Sequence, residues 1–427
     1  MKSAELFLAE HKLRASDIDM ERLVRVFTED MINGLEGKEN ALRMIPTYIE
    51  AENDFLKEIP VLAIDAGGTN LRAARISFTR KGEIKTGEIV SRRMPGLENE
   101  IPAKEFFSII SDYIRPLAEN SQRIGFCFSY PTEILPDRDG RLIQFCKEVK
   151  APEVVGQLIG KNLLESLGTP GKPIVLLNDT VATLLAGKSA TAGKYYDSFI
   201  GFILGTGTNT CYIELNSNIQ KNKDIDQTRS QIINTESGNF GKAPRSDLDI
   251  LFDSSTINPG SYTFEKMFSG GYFGGLCLTV MKEAAKEGVF LQETTKQLNS
   301  VTDLSSNDAN SFSLNPGSDV NILKKCFSGI QDMEKGLHII DTLIDRAAKL
   351  VAANLAAVVL KTDKGRSSGK PVLITIEGTT FFKMHNLRNL FESYFGEFLS
   401  GDRKRYVEFT EVEKSSLIGA ALAALIN

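Results

Sequence analysis

The chain has 427 residues, 42% of them hydrophobic and 25% charged, which suits a protein of two or three well-packed domains and excludes a fibrous or disordered one. Its 50 basic and 55 acidic residues give a formal net charge of −5, which argues against duplex nucleic-acid binding because such proteins normally carry a basic stripe. Five scattered cysteines indicate a reducing compartment. With neither a signal peptide nor a membrane-spanning apolar run evident, we expect a cytoplasmic protein that binds no membrane.

The predicted elements alternate between strands and helices. An amphipathic helix within residues 20–50, with apolar residues recurring every three or four positions, precedes the first strand. Residues 289–321 are rich in Ser, Asn, Asp and Thr, and we expect a surface excursion without a catalytic role. The recurrence of a hairpin followed by helices and strands predicts two related α/β lobes with a ligand cleft between them. The other predicted elements are strands 59–64, 72–78 and 83–92, helix 102–117, strand 124–129, helix 153–167, strands 174–177, 198–204, 208–215 and 231–235, helices 264–287 and 335–360, strand 371–376 and helix 414–426.

Two glycine hairpins carry the clearest functional signal, Asp65-Ala66-Gly67-Gly68-Thr69-Asn70 and Gly205-Thr206-Gly207-Thr208-Asn209. Glycine can take a positive φ and bring bare N–H groups close to a ligand, and threonine hydroxyls add donors, so such turns suit phosphate oxygens. A tight turn between two strands would explain either hairpin alone. Because the two hairpins flank Asn178-Asp179-Thr180, the pattern indicates a phosphotransferase.

Polar residues at predicted strand ends supply candidate chemistry. Asp179 follows a strand and starts a predicted helix, so it is the candidate base for phosphoryl transfer, with a helix N-cap as the alternative for Asn178 or Asp179. Asp65 is the candidate Mg²⁺ ligand, through water because Mg²⁺ dehydrates reluctantly, with a simple turn carboxylate as the alternative. Residues typical of a site for a polyhydroxylated ligand are Ser129, Lys147, Asn209 and Glu236.

The stretches Phe27-Thr28-Glu29-Asp30-Met31-Ile32-Asn33-Gly34-Leu35 and Ala41-Leu42-Arg43-Met44-Ile45-Pro46-Thr47-Tyr48 resemble the lead-in to the first phosphate loop of the hexokinase family. The resemblance extends from about Glu21 to the C terminus. It implies an α/β fold of two ribonuclease-H-like lobes, as in actin-like ATPases, around a central cleft that closes on MgATP and a hexose. The implied small lobe comprises residues 57–180 joined by 414–427, and the large lobe comprises residues 1–56 and 181–413.

The same resemblance implies roles for individual residues, with ATP and Mg²⁺ as cofactors and a hexose phosphorylated at its 6-hydroxyl. Asp179 would be the catalytic base, assisted by Lys147. The implied hexose-binding residues are Ser129, Lys147, Asn178, Asp179, Asn209 and Glu236. The implied nucleotide-binding residues are Asp65, Gly67, Gly68, Thr69, Asn70, Gly205, Thr206, Gly207, Thr208, Gly378, Thr379, Ser415 and Ser416. The oligomeric state is left open, a homodimer included.

Several departures from the family pattern leave the preferred hexose open. Cys146 stands in place of a sugar-binding threonine, and Gly275 occupies what we interpret as the position of a sugar-binding glutamate. Ser237 replaces a tryptophan, Glu377 stands where an aspartate is common, and the glycines around Ser416 are lost. A kinase for mannose, fructose or an amino sugar is therefore an alternative, as is a catalytically silent sugar sensor, against which the retention of Asp179 counts.

Overall fold

A computed structural model describes residues 2–51, 53–145, 149–191 and 194–426. The strands are β1 (Ile45–Pro46), β2 (Val61–Ala66), β3 (Asn70–Phe78), β4 (Ile84–Thr86), β5 (Val90–Arg93), β6 (Arg123–Phe128), β7 (Thr132–Ile134), β8 (Gly140–Leu142), β9 (Ile174–Leu177), β10 (Ser198–Leu204), β11 (Thr208–Leu215), β12 (Ser230–Asn234), β13 (Val372–Glu377) and β14 (Val407–Thr410). The helices are α1 (Ala4–Glu10), α2 (Met20–Glu36), α3 (Ala103–Ala118), α4 (Ile159–Leu167), α5 (Asp179–Ser189), α6 (Asp247–Ser254), α7 (Phe273–Lys286), α8 (Gln292–Ser300), α9 (Ser306–Leu314), α10 (Ile322–Cys326), α11 (Ile330–Thr362), α12 (Thr379–Lys383), α13 (Leu387–Phe398) and α14 (Ser415–Leu425). Within these ranges no helix combines the length and apolar character that crossing a membrane requires.

The strands form two main sheets with the same central arrangement. The first has the order β4-β3-β2-β6-β9, with β5 also pairing with β3, and the second has the order β1-β12-β11-β10-β13-β14. In each sheet an antiparallel hairpin, β2–β3 or β10–β11, is followed by two parallel strands, β6 and β9 or β13 and β14. This repetition confirms the prediction of two related α/β units. The boundaries of the two lobes stay a prediction.

The helices that follow each last parallel strand lie between the two sheets. α5 leaves β9 of the first sheet and packs against β10, β11 and β13 of the second, whereas α14 leaves β14 of the second sheet and packs against β2, β6 and β9 of the first. The two helices also pack against each other, and small residues allow the close approach: a Cβ added at Gly419 would lie 2.0 Å from the carbonyl oxygen of Ala182. Each helix therefore links one sheet to the other.

Alternating side chains of the first sheet bury both of its faces. Leu62, Ile64 and Phe126 pack toward α3 and α4, whereas Val61 and Ala63 pack toward α5 and α14. A third and larger core joins the second sheet to α2, α7 and α11. With helices packed on both faces of each sheet, and α5 and α14 shared between the sheets, the ends of the central strands of both sheets are held in fixed positions.

Four predicted elements differ from the structure. The helix expected over 153–167 starts only at Ile159, after a separate 3₁₀ turn over Pro152–Val154. Residues 289–321 are largely helical, because the polar stretch contains α8 and α9, whose buried Leu298 and Phe312 pack into the large core, and Ser305 caps α9 by accepting the N–H of Asp308. The helix expected from residue 264 starts only at Phe273, after an irregular segment. The strand expected at 83–92 is two short strands, β4 and β5.

Candidate active site

The first glycine hairpin joins β2 to β3 beside the end of β6. The amide of Gly67 donates to the carbonyl of Asn70 at 3.0 Å and closes the turn, and the hydroxyl of Tyr130 donates to the carbonyl of Gly67 at 3.0 Å. The amide of Ser129 donates to the carbonyl of Ala66 at 3.2 Å, so Ser129 lies beside the start of this loop. The residues of the loop that are half-buried or exposed are Gly67, Gly68, Thr69 and Asn70.

The second glycine hairpin joins β10 to β11 and is braced from outside. The amides of Gly270 and Gly271 donate to the carbonyls of Gly205 and Thr206, each at 2.8 Å. The irregular segment that replaces the expected start of α7 therefore supports this loop. Thr206 at the tip is exposed, whereas Thr208 is buried at the start of β11.

Glycine serves a different purpose here from the expected one. Gly67, Gly205 and Gly207 do not take a positive φ, so the expectation of left-handed backbone is wrong at these positions. A Cβ added at Gly207 would instead lie 2.6 Å from Oε2 of Glu265. Glycine at position 207 therefore allows the carboxylate of Glu265 to lie against the loop backbone, and a larger residue would displace it.

A network of amides and carboxylates lies next to the second hairpin. Nδ2 of Asn209 donates to Oδ1 of Asn234 at 2.7 Å, and it is 3.4 Å from Oδ1 of Asn178. Nδ2 of Asn234 donates to Oε1 of Glu236 at 2.8 Å. Glu236 takes the left-handed conformation, with φ of 58°, which is rare outside glycine and concentrates at functional sites. Three predicted sugar-binding residues, Asn178, Asn209 and Glu236, are thus brought together.

Asp179 starts α5, directly after the network. Oδ1 of Asn178 accepts the amide of Thr180 at 2.9 Å, so Asn178 is the N-cap of this helix, as the alternative interpretation held. Oδ1 of Asp179 accepts the same amide at 2.7 Å. The cap role of Asn178 is compatible with ligand binding, because its amide group still faces Asn209.

A cavity between the two sheets extends from the network to the ends of the strands of the first sheet. Phe128, Tyr130 and Leu176 line it on one side, and Arg43, Asn234, Glu236 and Tyr262 line it on the other, with Asn178 between them. Predicted Lys147, together with Cys146, lies outside the described residues. The cavity therefore has apolar and aromatic walls with convergent amide and carboxylate groups, as small-molecule sites do.

Glu265 is a candidate residue that the sequence reasoning missed. Its Oε2 accepts the amide of Thr208 at 2.8 Å and lies against Gly207 and Gly238, beside Glu236. A Cβ added at Gly275 would lie 2.8 Å from the ring of Phe252, and the interpretation of Gly275 as the vacant position of a sugar-binding glutamate stays a prediction. Residues 264–287 were predicted to be helical, so no motif in the sequence singled out Glu265.

Four carboxylates, those of Asp65, Asp179, Glu236 and Glu377, lie within electrostatic reach of one another across the cleft, each of the other three being affected by the charge of Asp179. Burial raises the pKa of Asp65, the guanidinium of Arg72 opposes this, and the charge of Asp179 adds to it. Burial also raises the pKa of Glu377, to which Asp179 and Asp65 again contribute. The pKa of Glu236 is raised by burial as well, and nearby Asn234 lowers it while Asp179 raises it. The cleft therefore concentrates negative charge that a cation would relieve.

The donors at this centre fit a magnesium ion held mostly by water and phosphate. Carboxylate oxygens are the ligands that Mg²⁺ prefers, and it commonly uses one or two of them with substrate phosphates. Among the described ranges, no group of three His, Cys, Asp or Glu side chains is placed to hold a metal ion by itself. Asp65 is 3% exposed and its Oδ2 accepts Nε of Arg72 at 2.9 Å, which orients the carboxylate.

The predicted nucleotide-binding residues of the C-terminal part fall into two groups. Thr379 lines a cavity, whereas Gly378, Ser415 and Ser416 are packed against other parts of the protein. Thr379 lines a second cavity with Thr206 and Gly270, and α9 contributes Ser306, Asn307 and Asn310 to it. These α9 residues were missed because their polar surroundings indicated a loop. Gly378 lies against Gly205, with φ of 116°, and a Cβ there would be 2.3 Å from the carbonyl oxygen of Leu204. Ser415 and Ser416 are buried at the start of α14.

Ser237, which stands in place of a tryptophan, belongs to a buried polar strip. Its hydroxyl is 3.2 Å from that of Thr210, which also accepts Nδ2 of Asn354 at 3.0 Å. The amide of Ser237 donates to Oδ1 of Asn209 at 3.2 Å. This strip supports Asn209 and Glu236 from behind.

Comparison with known proteins agrees with the fold and the motifs. Two family models described as hexokinase match residues 6–189 and 199–426. Hexokinase-3 of Oryza sativa subsp. japonica is 26% identical over 418 residues, covering 90% of this chain and 82% of that protein. Hexokinase-1 of Schizosaccharomyces pombe is 26% identical over 435 residues, covering 96% of this chain and 87% of that protein.

A solved structure of hexokinase from Schistosoma mansoni complexed with glucose shares the fold. Its TM-score is 0.80 at 22% identity, and the match covers 99% of this chain and 100% of that one. A second structure described as hexokinase has a TM-score of 0.79. Since one family model alone spans residues 199–426, more than half of the sequence, the chain belongs to the hexokinase family, whose enzymes use ATP to phosphorylate hexoses.

Proposed function

We propose that the chain transfers the γ-phosphoryl group of MgATP to the 6-hydroxyl of a hexose, with Asp179 as the general base. The position of Asp179 carries the proposal. It starts α5 next to the network of Asn178, Asn209 and Glu236, and it lies within electrostatic reach of the carboxylates of Asp65 and Glu377. A base between a set of hydroxyl-binding groups and a phosphate-binding edge suits phosphoryl transfer.

The sugar-binding groups follow from the chemistry of the network. Amides both donate and accept hydrogen bonds, and carboxylates accept them, so Asn178, Asn209 and Glu236 can each bind sugar hydroxyls, together with Glu265. Ser129, beside the first loop, and Lys147 complete the proposed set. A site with this many directional bonds discriminates strongly against a sugar that lacks a hydroxyl.

In the proposed step, Asp179 accepts the proton of the attacking hydroxyl. The hydroxyl oxygen forms a bond to the γ-phosphorus as the bond from that phosphorus to the β–γ bridging oxygen breaks, leaving a sugar phosphate and ADP. Backbone N–H groups of the loops at 67–70 and 205–208 hold the phosphate oxygens, apart from those of Gly67, Gly205 and Thr208, which bond within the protein. Magnesium, when bound near Asp65, supplies charge neutralisation for the phosphates. Thr379 and the α9 residues beside it face the nucleoside end of ATP.

The identity of the hexose is a separate question. Glucose, mannose, fructose and an amino sugar remain candidates. Gly275 bears on it through the prediction that a sugar-binding glutamate is missing at that position, beside the ring of Phe252. A catalytically silent sensor would share the sugar network but would not need a carboxylate at Asp179.

The test compares Asp179→Ala and Asp179→Asn with the parent protein. We expect kcat to fall by about 10²-fold or more, because general-base catalysis contributes roughly 10²–10⁴-fold, while hexose binding is partly retained. Asp112→Asn is the matched control, since Asp112 is exposed on α3 and should leave kcat unchanged. A loss of less than about tenfold would show that Asp179 is not the base.

A further inference from the structure

Glu377 joins three elements of the fold through one carboxylate oxygen. It ends β13, and its Oε2 accepts the hydroxyl of Thr183 on α5 at 3.0 Å and the hydroxyl of Ser415 on α14. Thr183 is fully buried and Ser415 is 1% exposed, so neither hydroxyl is replaced readily by water. One side chain thereby holds both helices that pass between the sheets.

Two of the departures from the family pattern lie at this contact between Glu377 and α14. Glu377 stands where an aspartate is common, and Ser415 lies in a segment that has lost its glycines. The extra methylene of glutamate lets the carboxylate reach α14, and the serine supplies the donor that it meets there. The two departures are therefore parts of one hydrogen-bonded contact.

The hydroxyl of Thr183 connects this contact to Asp179, the proposed base. The hydroxyl of Thr183 is 3.0 Å from the carbonyl oxygen of Asp179 as well as 3.0 Å from Oε2 of Glu377. Moving the carboxylate would therefore move the first turn of α5, on which Asp179 lies. A shift of about 1 Å in a reacting group can cost about 10²-fold in rate.

The residues after Glu377 extend the contact to the second glycine hairpin. Gly378 packs under the carbonyl of Leu204, too close for any Cβ, and the hydroxyl of Thr380 donates to the carbonyl of Gly205 at 2.8 Å. The segment 377–380 therefore touches α5, α14 and the proposed phosphate loop.

We propose that Glu377 is a positioning residue that, by its reach to both Thr183 and Ser415, sets Asp179 relative to the loop at 205–208. The inference rests on the proposed function. It predicts that length and hydrogen-bond acceptance at position 377 matter more than negative charge. It also predicts that Glu377 and Ser415 act as a unit.

The test is a double-mutant cycle with steady-state kinetics. Glu377→Asp withdraws the carboxylate by one methylene, and Ser415→Ala removes the donor. We expect each to lower kcat by about tenfold with the hexose KM within about threefold. The combined variant should resemble the slower single variant, because residues that act as a unit are non-additive. Glu377→Gln keeps the length and an acceptor oxygen, so it should retain more activity than Glu377→Asp.

The outcomes distinguish a shared positioning role from independent residues and from metal binding. A combined loss of about a hundredfold, the product of the single effects, would show independent residues and overturn the proposal. An active Glu377→Asp with an inactive Glu377→Gln would show that charge, as in metal binding, is what matters. Ser108→Ala is the matched control, because it removes an exposed serine–carboxylate bond to Asp112 on α3. If the parent protein has no hexose-dependent activity, the proposed function fails instead.

Discussion

The carboxylates of Glu236 and Glu265 are placed by unusual local geometry. Glu236 is left-handed, and Glu265 projects from a single 3₁₀ turn against the amide of Thr208. Neither conformation is one that a helix or strand would supply by default. Glu236 accepts a hydrogen bond from the side chain of Asn234, and Glu265 accepts one from the amide of Thr208, so both carboxylates are positioned before a sugar binds.

A glutamate introduced at Gly275 should disrupt the protein rather than improve the sugar site. Its Cβ would lie 2.8 Å from the Phe252 ring, and overpacking of a core commonly costs about 1–3 kcal/mol of unfolding free energy, to which a charged group adds. Thermal and urea unfolding of Gly275→Glu would show the loss. Gly171→Glu is the matched control, since nothing lies within 4 Å of its Cβ. Increased glucose affinity with unchanged stability would show that position 275 faces the sugar site after all.

Individual residues could be predicted where a motif placed them at the end of a strand. Asn178, Asp179 and Asn209 were identified in this way, because their strands and turn residues are clear in the sequence. Glu265 could not be, since its contact with Thr208 spans 57 positions and an irregular segment was expected to be helical. The family resemblance instead assigned a sugar-binding glutamate to position 275, later in the same stretch.

The contact between α5 and α14 is the element on which the relation of the two sheets most depends. Small residues permit it, and Gly419 faces the backbone of Ala182 rather than a side chain that could move. Gly125 of β6 meets the backbone of Ala420 in the same way, at 1.8 Å from an added Cβ to the carbonyl oxygen. Backbone contacts of this kind leave little room for adjustment.

Two glycine-to-alanine changes in helices should therefore have opposite effects on stability. Gly419→Ala would place a methyl group 2.0 Å from the Ala182 carbonyl oxygen, so we expect lower unfolding free energy and lower activity. Gly396→Ala on α13 meets nothing within 4 Å and should stabilise by about 0.5–1 kcal/mol, as alanine does in an open helix position. Chemical unfolding of the two variants checks this. Equal changes in unfolding free energy for the two variants would mean that α5 and α14 can move apart without loss of stability.

The strands and helices could be predicted to different degrees from the spacing of apolar residues and from helix-capping residues. The observed β10 and β11 have the predicted bounds, because apolar residues continue to the glycine turn. α8 and α9 were missed because few apolar residues, among them Leu298 and Phe312, face the core while the other positions are polar. Tertiary packing, rather than composition, makes that segment helical.

At the scale of the whole molecule, the repeated sheet order explains where the site lies. The hairpins β2–β3 and β10–β11 occupy equivalent places in the two sheets, and the helices that follow the last strands pass between them. Binding groups from both sheets therefore line one cleft, which we expect to close on the substrates and exclude water. The lobe boundaries at residues 57–180 with 414–427 stay a prediction that such closure would test.

The most direct measurement is ADP formation from MgATP by the purified protein with glucose, mannose, fructose or glucosamine, with the sugar product analysed in parallel. We expect ADP to form only when a hexose is present, in equal amount with hexose 6-phosphate, and the ranking of rates to identify the preferred sugar. No ADP formation with any of these sugars, while sugar binding is intact, would refute the proposed phosphoryl transfer and identify a catalytically silent sugar sensor.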